Sequence, residues 1–390
     1  MKKLLFLCFL ALVTGLGAQQ PPSEEKPKNW SLGGYVKNLQ TLIFFNNPSP
    51  VEDIFLQDNL VHNRLNFEWF PNENFTFHAD LRSRIFFGDL VRANPDYGKL
   101  VDNANNDYLD LSLVLLDRNN FVIHTMLDRL YFEYVKNNWE IRLGRQRVNW
   151  GINTVWNPND IFNAFAFTDF DYEERPGSDA LRIKYYTGFA SSIEIAVKAF
   201  DDIDEAVIAG LWKFNKWNYD FQLLAGLVGN SIALGVVLSG NIKNASFKGE
   251  FTYFIPTEET GEEAFAATLG YDYSFSNSLF LSAGYLYNSL GTNTGSISSL
   301  FSFELSAKNL YPYRHALFVN LAYPISPLLN SGVALIYSPV EAHALFFNPT
   351  LTYSITENWD LDFVGQLVFN DDGGFTSPIQ ALFFRLKYSY

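Results

Sequence analysis

The stretch Phe75-Thr76-Phe77-His78-Ala79-Asp80-Leu81-Arg82 alternates strictly, with every odd position apolar and every even position polar. A period of two puts the apolar groups on one face of a β-strand and the polar groups on the other. The pattern occurs upstream, where Leu65, Phe67 and Trp69 alternate with Arg64, Asn66 and Glu68. It recurs downstream, where Leu181, Ile183 and Tyr185 alternate with Arg182, Lys184 and Tyr186. Near the end, Leu361, Phe363, Gly365, Leu367 and Phe369 interleave with Asp360, Asp362, Val364, Gln366 and Val368. Segments of roughly 9–11 residues are what a tilted strand needs to cross a bilayer.

Alternation alone fits a β-sandwich as well as a barrel. The connections separate the two. Short turns at Pro71–Asn74, Lys136–Asn138, Asn215–Lys216, Ser276–Ser278 and Thr356–Asn358 alternate with long loops at 45–59, 89–125, 152–178 and 289–312. Short turns on one rim and long loops on the other is a membrane-barrel arrangement. The expected fold is therefore all-β, an antiparallel up-and-down transmembrane barrel of about eighteen strands, with sixteen as the alternative because the strands near 228–232 are hard to delimit.

Composition agrees. Thirty-seven Phe, 21 Tyr and 8 Trp make the chain 17% aromatic, as membrane-interface girdles require. Lys2 and Lys3 followed by the apolar run Leu4–Gly17 read as an export leader over residues 1–18. The polar, Pro- and Glu-rich residues 19–29 read as a short disordered arm, leaving 30–390 for the barrel. The one cysteine, Cys8, lies inside the leader, so the mature chain is expected to carry no disulfide and no thiolate metal site. Formal charge is −14 from 28 basic and 42 acidic residues, and loss of Lys2 and Lys3 leaves 26 against 42, or −16. Nucleic acid is thus not an expected partner, since phosphate neutralisation needs clustered Lys and Arg.

Leu382, Phe384, Leu386, Tyr388 and Tyr390 fall on one face of the last segment. This is similar to the terminal-strand signature of bacterial outer-membrane barrels, which implies that Tyr388 and Tyr390 form the signal read by the barrel-assembly machinery. A second resemblance lies in LGRQRVNWG at 143–151, followed by Asn157-Pro158 and Glu173-Glu174-Arg175-Pro176. Leu143, Gly144, Arg145 and Gln146, with Trp150-Gly151 downstream, resemble porin-like outer-membrane families, alginate-export-type barrels among them. The resemblance implies the fold and the pore class. It also implies a multi-pass barrel in the outer membrane of a Gram-negative bacterium, in contact with lipid and lipopolysaccharide.

Basic residues concentrate between 82 and 184. Arg82, Arg84, Arg129, Arg142, Arg145, Arg182 and Lys184 are candidate pore-lining groups, because a charge facing lipid near the midplane costs roughly 2–4 kcal/mol. Strict alternation from Ile141 and Leu143 would put Arg145 and Arg147 on the lipid side, so either Gly144 marks a bulge, the preferred reading, or these residues lie above the membrane at the outer rim. The loop 152–178 joins aromatics, Trp156 among them, to Asp160, Asp169, Asp171, Glu173 and Glu174. Two readings stand: the loop folds into the lumen as a constriction, with the acids set across from the arginines, or it packs on its neighbours at the outer surface with its acids hydrated or binding divalent ions.

Catalysis finds little support. His62, His78, His124, His315 and His343 have neither metal spacing nor a nucleophile motif, and His78 with Asp80 reads as a satisfied lumen pair. Asp102, Asp107 and Asp110 lack the glycine and terminal glutamate of a calcium loop. No enzyme activity, cofactor or metal is expected. The expected function is a porin-like channel for small polar solutes, anionic ones included, with an oligomer allowed. The alternatives are a non-conducting barrel for adhesion, assembly or surface display, and a soluble all-β binding protein.

Overall fold

The computed structural model describes residues 28–46, 52–103, 107–165, 167–294, 303, 305–341, 343–371 and 374–390. The leader and most of the arm lie outside these residues. The strands are β1 (Trp30–Phe45), β2 (Ile54–Asn72), β3 (Phe75–Gly88), β4 (Ser112–Arg118), β5 (Phe121–Lys136), β6 (Trp139–Gln146), β7 (Ser178–Gly188), β8 (Ser191–Lys198), β9 (Val207–Lys216) and β10 (Tyr219–Val228). They continue as β11 (Ser231–Ile242), β12 (Ala245–Pro256), β13 (Ala264–Ser274), β14 (Phe280–Asn288), β15 (His315–Ser326), β16 (Leu329–Ser338), β17 (Ala344–Thr356), β18 (Trp359–Asp371) and β19 (Phe375–Ser389). Two short helices, α1 (Asp89–Ala93) and α2 (Tyr97–Asn103), precede β4.

Each barrel strand pairs antiparallel with the next, and β19 closes on β1 through Tyr35 opposite Ser389 to Phe45 opposite Ile379. The result is a closed eighteen-strand barrel. β4 is additional to that count. β5 pairs with β3 along one edge; its other edge carries β6 beside residues 130–136 and β4 beside residues 121–126. The predicted loop 89–125 therefore contains a strand that alternation did not separate from it.

Tight turns join the strands at the rim that holds both chain ends, and most long connections lie at the other rim. One predicted turn is displaced: the β9–β10 reversal falls on Trp217-Asn218, not on Asn215–Lys216. Both turn residues adopt positive φ, 57° and 63°, the conformation of a two-residue hairpin turn. Sequence reading does not anticipate it in a tryptophan.

In β11, Ile232, Leu234 and Val236 are exposed while Ser231, Ala233 and Val237 are buried. A soluble sheet would bury the larger set. Here large aliphatic groups face outward and small ones inward, so the outer surface is an apolar belt suited to hydrocarbon and the inner side has room for something else.

Candidate functional site

What occupies that room is the connection 147–177 between β6 and β7. It makes a circuit of the inner wall, touching the middle of one strand after another. The indole Nε1 of Trp150 donates to Glu194 on β8 at 2.5 Å. Backbone N–H groups of Ile152 and Asn153 donate to Glu250 on β12, and the Asn153 amide donates to Thr268 on β13 at 2.7 Å. Trp156 and Phe167 pack edge-on against Phe318 on β15. Gln366 on β18 donates to the Thr168 carbonyl at 2.7 Å, and Phe170 packs on Phe383 of β19. Asp171 reaches Lys37 on β1 and His62 on β2, and Arg129 on β5 donates to the carbonyls of Glu174 and Arg175.

The wall it follows has two chemistries. From β7 round to β18 the buried residues that pack on the loop are mostly apolar, with Glu194 and Glu250 as buried acidic groups among them. Ala180, Ala196, Ala209, Leu211, Leu224 and Phe254 take Val148, Trp150, Ile161 and Phe162 of the loop. Ala266, Leu286, Ala316, Phe318, Ile336 and Phe346 take Val155 and Trp156. Alanine on the wall leaves the volume that a loop tryptophan fills. Asp160, predicted for the constriction, lies in this apolar half, 2% exposed, with neither carboxylate oxygen hydrogen-bonded among the described residues. Burial pushes its carboxyl up to about 7, although Arg147 at 3.9 Å works in the opposite direction.

From β19 round to β5 the inner wall is ionic. Arg64 pairs with Asp128 and, at 2.9 Å, with Asp80, while Tyr172 of the loop donates to the other oxygen of Asp128. Arg82 donates to His62 at 3.3 Å and lies 3.7 Å over the Tyr172 ring. Arg84 meets His124 at 3.1 Å beneath the helical excursion, whose Tyr97 packs on Phe86. The loop carboxylates complete this half. Asp171 sits 2.8 Å from Lys37, Glu173 sits 2.9 Å from Arg385 and 3.5 Å from Lys387, and Glu174 accepts from Tyr35 at 3.0 Å. Asp169 accepts from the Tyr172 N–H and shapes the turn. Asp171, Glu173 and Glu174 therefore do not stand across a gap from the basic groups, as expected from sequence; they lie directly on the basic wall. Opposite charges minimise their energy in contact, and the loop is long enough to reach.

Nearer the rim of tight turns the remaining candidates form an alternating strip. Arg142 pairs with Glu133 at 2.5 Å and Glu140 at 3.2 Å, and Arg182 pairs with Glu194 at 2.7 Å and Glu140 at 3.3 Å. Lys184 lies 4.6 Å over the Tyr186 ring, and neither it nor Lys213 has a carboxylate within 4 Å among the described residues. His78 stacks on Tyr131 at 4.4 Å and approaches Glu68 and Glu133, while Asp80 is taken by Arg64.

Arg145 departs from expectation. The β6 ladder keeps its register against β5 and β7, so Gly144 marks no bulge, although it adopts φ 121°. The bulge lies across the pair: register shifts between Asp80 and Leu81 against β5, and Asp128 and Arg129 are both buried there. Arg145 itself is 1% exposed, with its guanidinium held by Asp179 and the Leu109 carbonyl. The segment leading into β4 covers it, so it is sealed rather than lining an open surface. Lys37, His62, Arg64, Asp128, Glu194, Glu250 and Arg385 are site residues that the sequence reading missed, and Arg64 was already visible on the polar face of its strand.

These features define a class: a closed eighteen-strand barrel with a long loop folded around the inside of its wall. No family model matches the chain, and no curated protein matches it. Among solved structures it is similar to OccK5 (OpdH) of Pseudomonas aeruginosa, with a TM-score of 0.58 and 10% identity over 93% of this chain and 98% of that one. It is similar to a BenF-like porin from Pseudomonas fluorescens Pf-5, at 0.58 and 11% over 93% and 99%. A third similar structure is OccK11 (OpdR) of Pseudomonas aeruginosa, at 0.56 and 10% over 92% and 95%. At such identities the likeness is one of fold.

Proposed function

We propose that this protein is an outer-membrane channel of a Gram-negative bacterium, through which small polar solutes diffuse. The observation that carries the proposal is the loop 147–177, which lines the inside of a closed barrel whose outer belt is apolar. The likeness to a BenF-like porin and to the OccK structures supports the same reading. Phospholipid, lipopolysaccharide and the assembly machinery would be its cellular partners, with Tyr388 and Tyr390 as the assembly signal, and an oligomer is compatible with the fold. No family model supports the alginate-export likeness, and nothing of a substrate is taken from it.

A preference for anions is the finer part of the proposal. Arg64, Arg82, Arg129, Arg142 and Arg182 contribute less to it than expected, because carboxylates or carbonyls already hold most of them. Lys184 and Lys213 are inward cations with no carboxylate within 4 Å among the described residues, and so are candidates to attract an anion. Planar-bilayer recordings of the purified chain test the channel, and absence of unitary steps would favour the non-conducting alternative. Liposome swelling with anionic, neutral and cationic solutes of one size tests the preference; equal rates defeat it.

A further inference from the structure

We propose that Glu250 is the positioning residue that fixes the height of the loop's apolar arm, and through it the free cross-section of the lumen. The second half rests on the channel reading; the first does not. Glu250 lies near the middle of β12 on its inward face and is 2% exposed. Among the described residues no cation stands within ion-pair distance of it, and the nearby Lys248 pairs with Asp272 instead. Its partners are backbone amides: Ile152 and Asn153 donate to one oxygen at 2.6 Å each, and Asn159 approaches the other at 3.4 Å. These donors flank the turn 154–158, so a single carboxylate ties the two ends of that turn to one strand.

The neighbours reinforce the same fit. Thr252, two residues along β12, donates to the side-chain carbonyl of Asn159 at 2.5 Å. Thr268, opposite Glu250 on β13, accepts from Asn153 at 2.7 Å. A buried carboxylate without a cation is costly unless hydrogen bonds replace its water, and here the loop supplies them. Successive N–H groups converging on one anion form a cradle of the type that binds phosphate elsewhere. Apolar packing alone cannot perform this role. Burial of Trp156 and Phe162 draws the arm to the wall but has little directional preference, so the arm could slide along the alanine-lined surface. Directional bonds to one point on one strand remove that freedom.

The test uses the full barrel with Val155→Cys as a reporter. Val155 is a residue of the arm itself, buried between it and the wall, and the natural Cys8 lies in the expected leader. A water-soluble maleimide should label the reporter at least about tenfold faster with Glu250→Leu than with Glu250. Glu250→Gln should stay within about threefold, since its carbonyl can still accept from Ile152 and Asn153. Single-channel conductance should change by about twofold or more with the leucine variant and little with glutamine. Unchanged labelling with Glu250→Leu overturns the positioning role. Faster labelling with unchanged conductance overturns the link to cross-section. Faster labelling in a barrel that never conducts leaves the positioning intact and removes the channel reading instead. Heat-modifiable migration checks folding. Should the leucine variant not fold, Glu250→Ser, too short to accept from both Ile152 and Asn153, carries the comparison, with labelling at least about threefold faster expected and unchanged labelling overturning the role.

Discussion

The two halves of the inner wall hold one loop by different physics. On the β7–β18 side the wall is mostly apolar apart from the anchoring carboxylates Glu194 and Glu250, and the loop brings tryptophan and phenylalanine to it. On the β19–β5 side the wall is long and cationic, and the loop brings aspartate and glutamate. The loop is thus divided lengthwise to match, with Trp150, Trp156 and Phe162 meeting the apolar wall and Asp171, Glu173 and Glu174 meeting arginine and lysine. An apolar dock is insensitive to salt and adds up over many weak contacts. An ionic dock is specific in geometry, and each broken pair leaves a charge behind.

The largest expected effect lies on the apolar side. Trp156→Ala removes a ring packed on Tyr311 and Phe318 in a wall already lined by alanine, so no neighbour can collapse into the gap. It should cost about 3–5 kcal/mol, read from denaturant unfolding or heat-modifiable migration. A loss below about 1 kcal/mol would mean that the apolar half does not hold the loop.

The second effect tests whether the apolar half is as indifferent to conditions as its composition suggests. Asp160 is buried there, and its carboxyl is pushed up to about 7 mainly by burial. The docked loop therefore binds this proton more tightly than the released loop does, and docking falls as pH rises from about 4 to about 7, then levels off. The change at full amplitude is on the order of a few kcal/mol, the opposing pull of Arg147 already included. Labelling of Val155→Cys, taken as a ratio to a fully exposed reporter cysteine at the same pH so that thiolate formation cancels, should be faster at pH 8 than at pH 5, and Asp160→Asn should reduce that rise. A ratio that does not rise between pH 5 and pH 8 would contradict it.

How much of this was legible in the sequence follows the range of each interaction. Outward and inward faces are written locally, with period two, and the strand count of eighteen came with them. Trp156, Asp160, Asp171, Glu173 and Glu174 stood out because so many aromatics and acids are unusual in a solvated loop. Their partners were not readable. Lys37 and Asp171 are 134 residues apart, and Ile152 and Glu250 are 98 apart, so no local pattern ties them together. The bulge was sought at Gly144 because glycine advertises one, yet the extra residue is Asp128 on the neighbouring strand. β4 escaped because its seven residues are shorter than a spanning strand and pair along one edge only.

The smallest of the three effects belongs to the ionic side, for a structural reason. Asp171→Asn removes the carboxylate facing Lys37, His62 and Arg385, and Lys37 is only 1% exposed. A buried ammonium stripped of its partner would ordinarily be expensive. Here its Nζ also donates to the backbone carbonyl of Asp171 at 2.5 Å, which the substitution leaves in place, and Arg385 retains Asp362 and Glu173. The expected loss is therefore about 1–3 kcal/mol, and it should shrink on raising the salt, because part of the lost interaction would have been screened. Trp156→Ala should cost the same at every salt concentration. If the two variants respond to salt alike, the division of the wall into an apolar dock and an ionic dock does not govern how the loop is held.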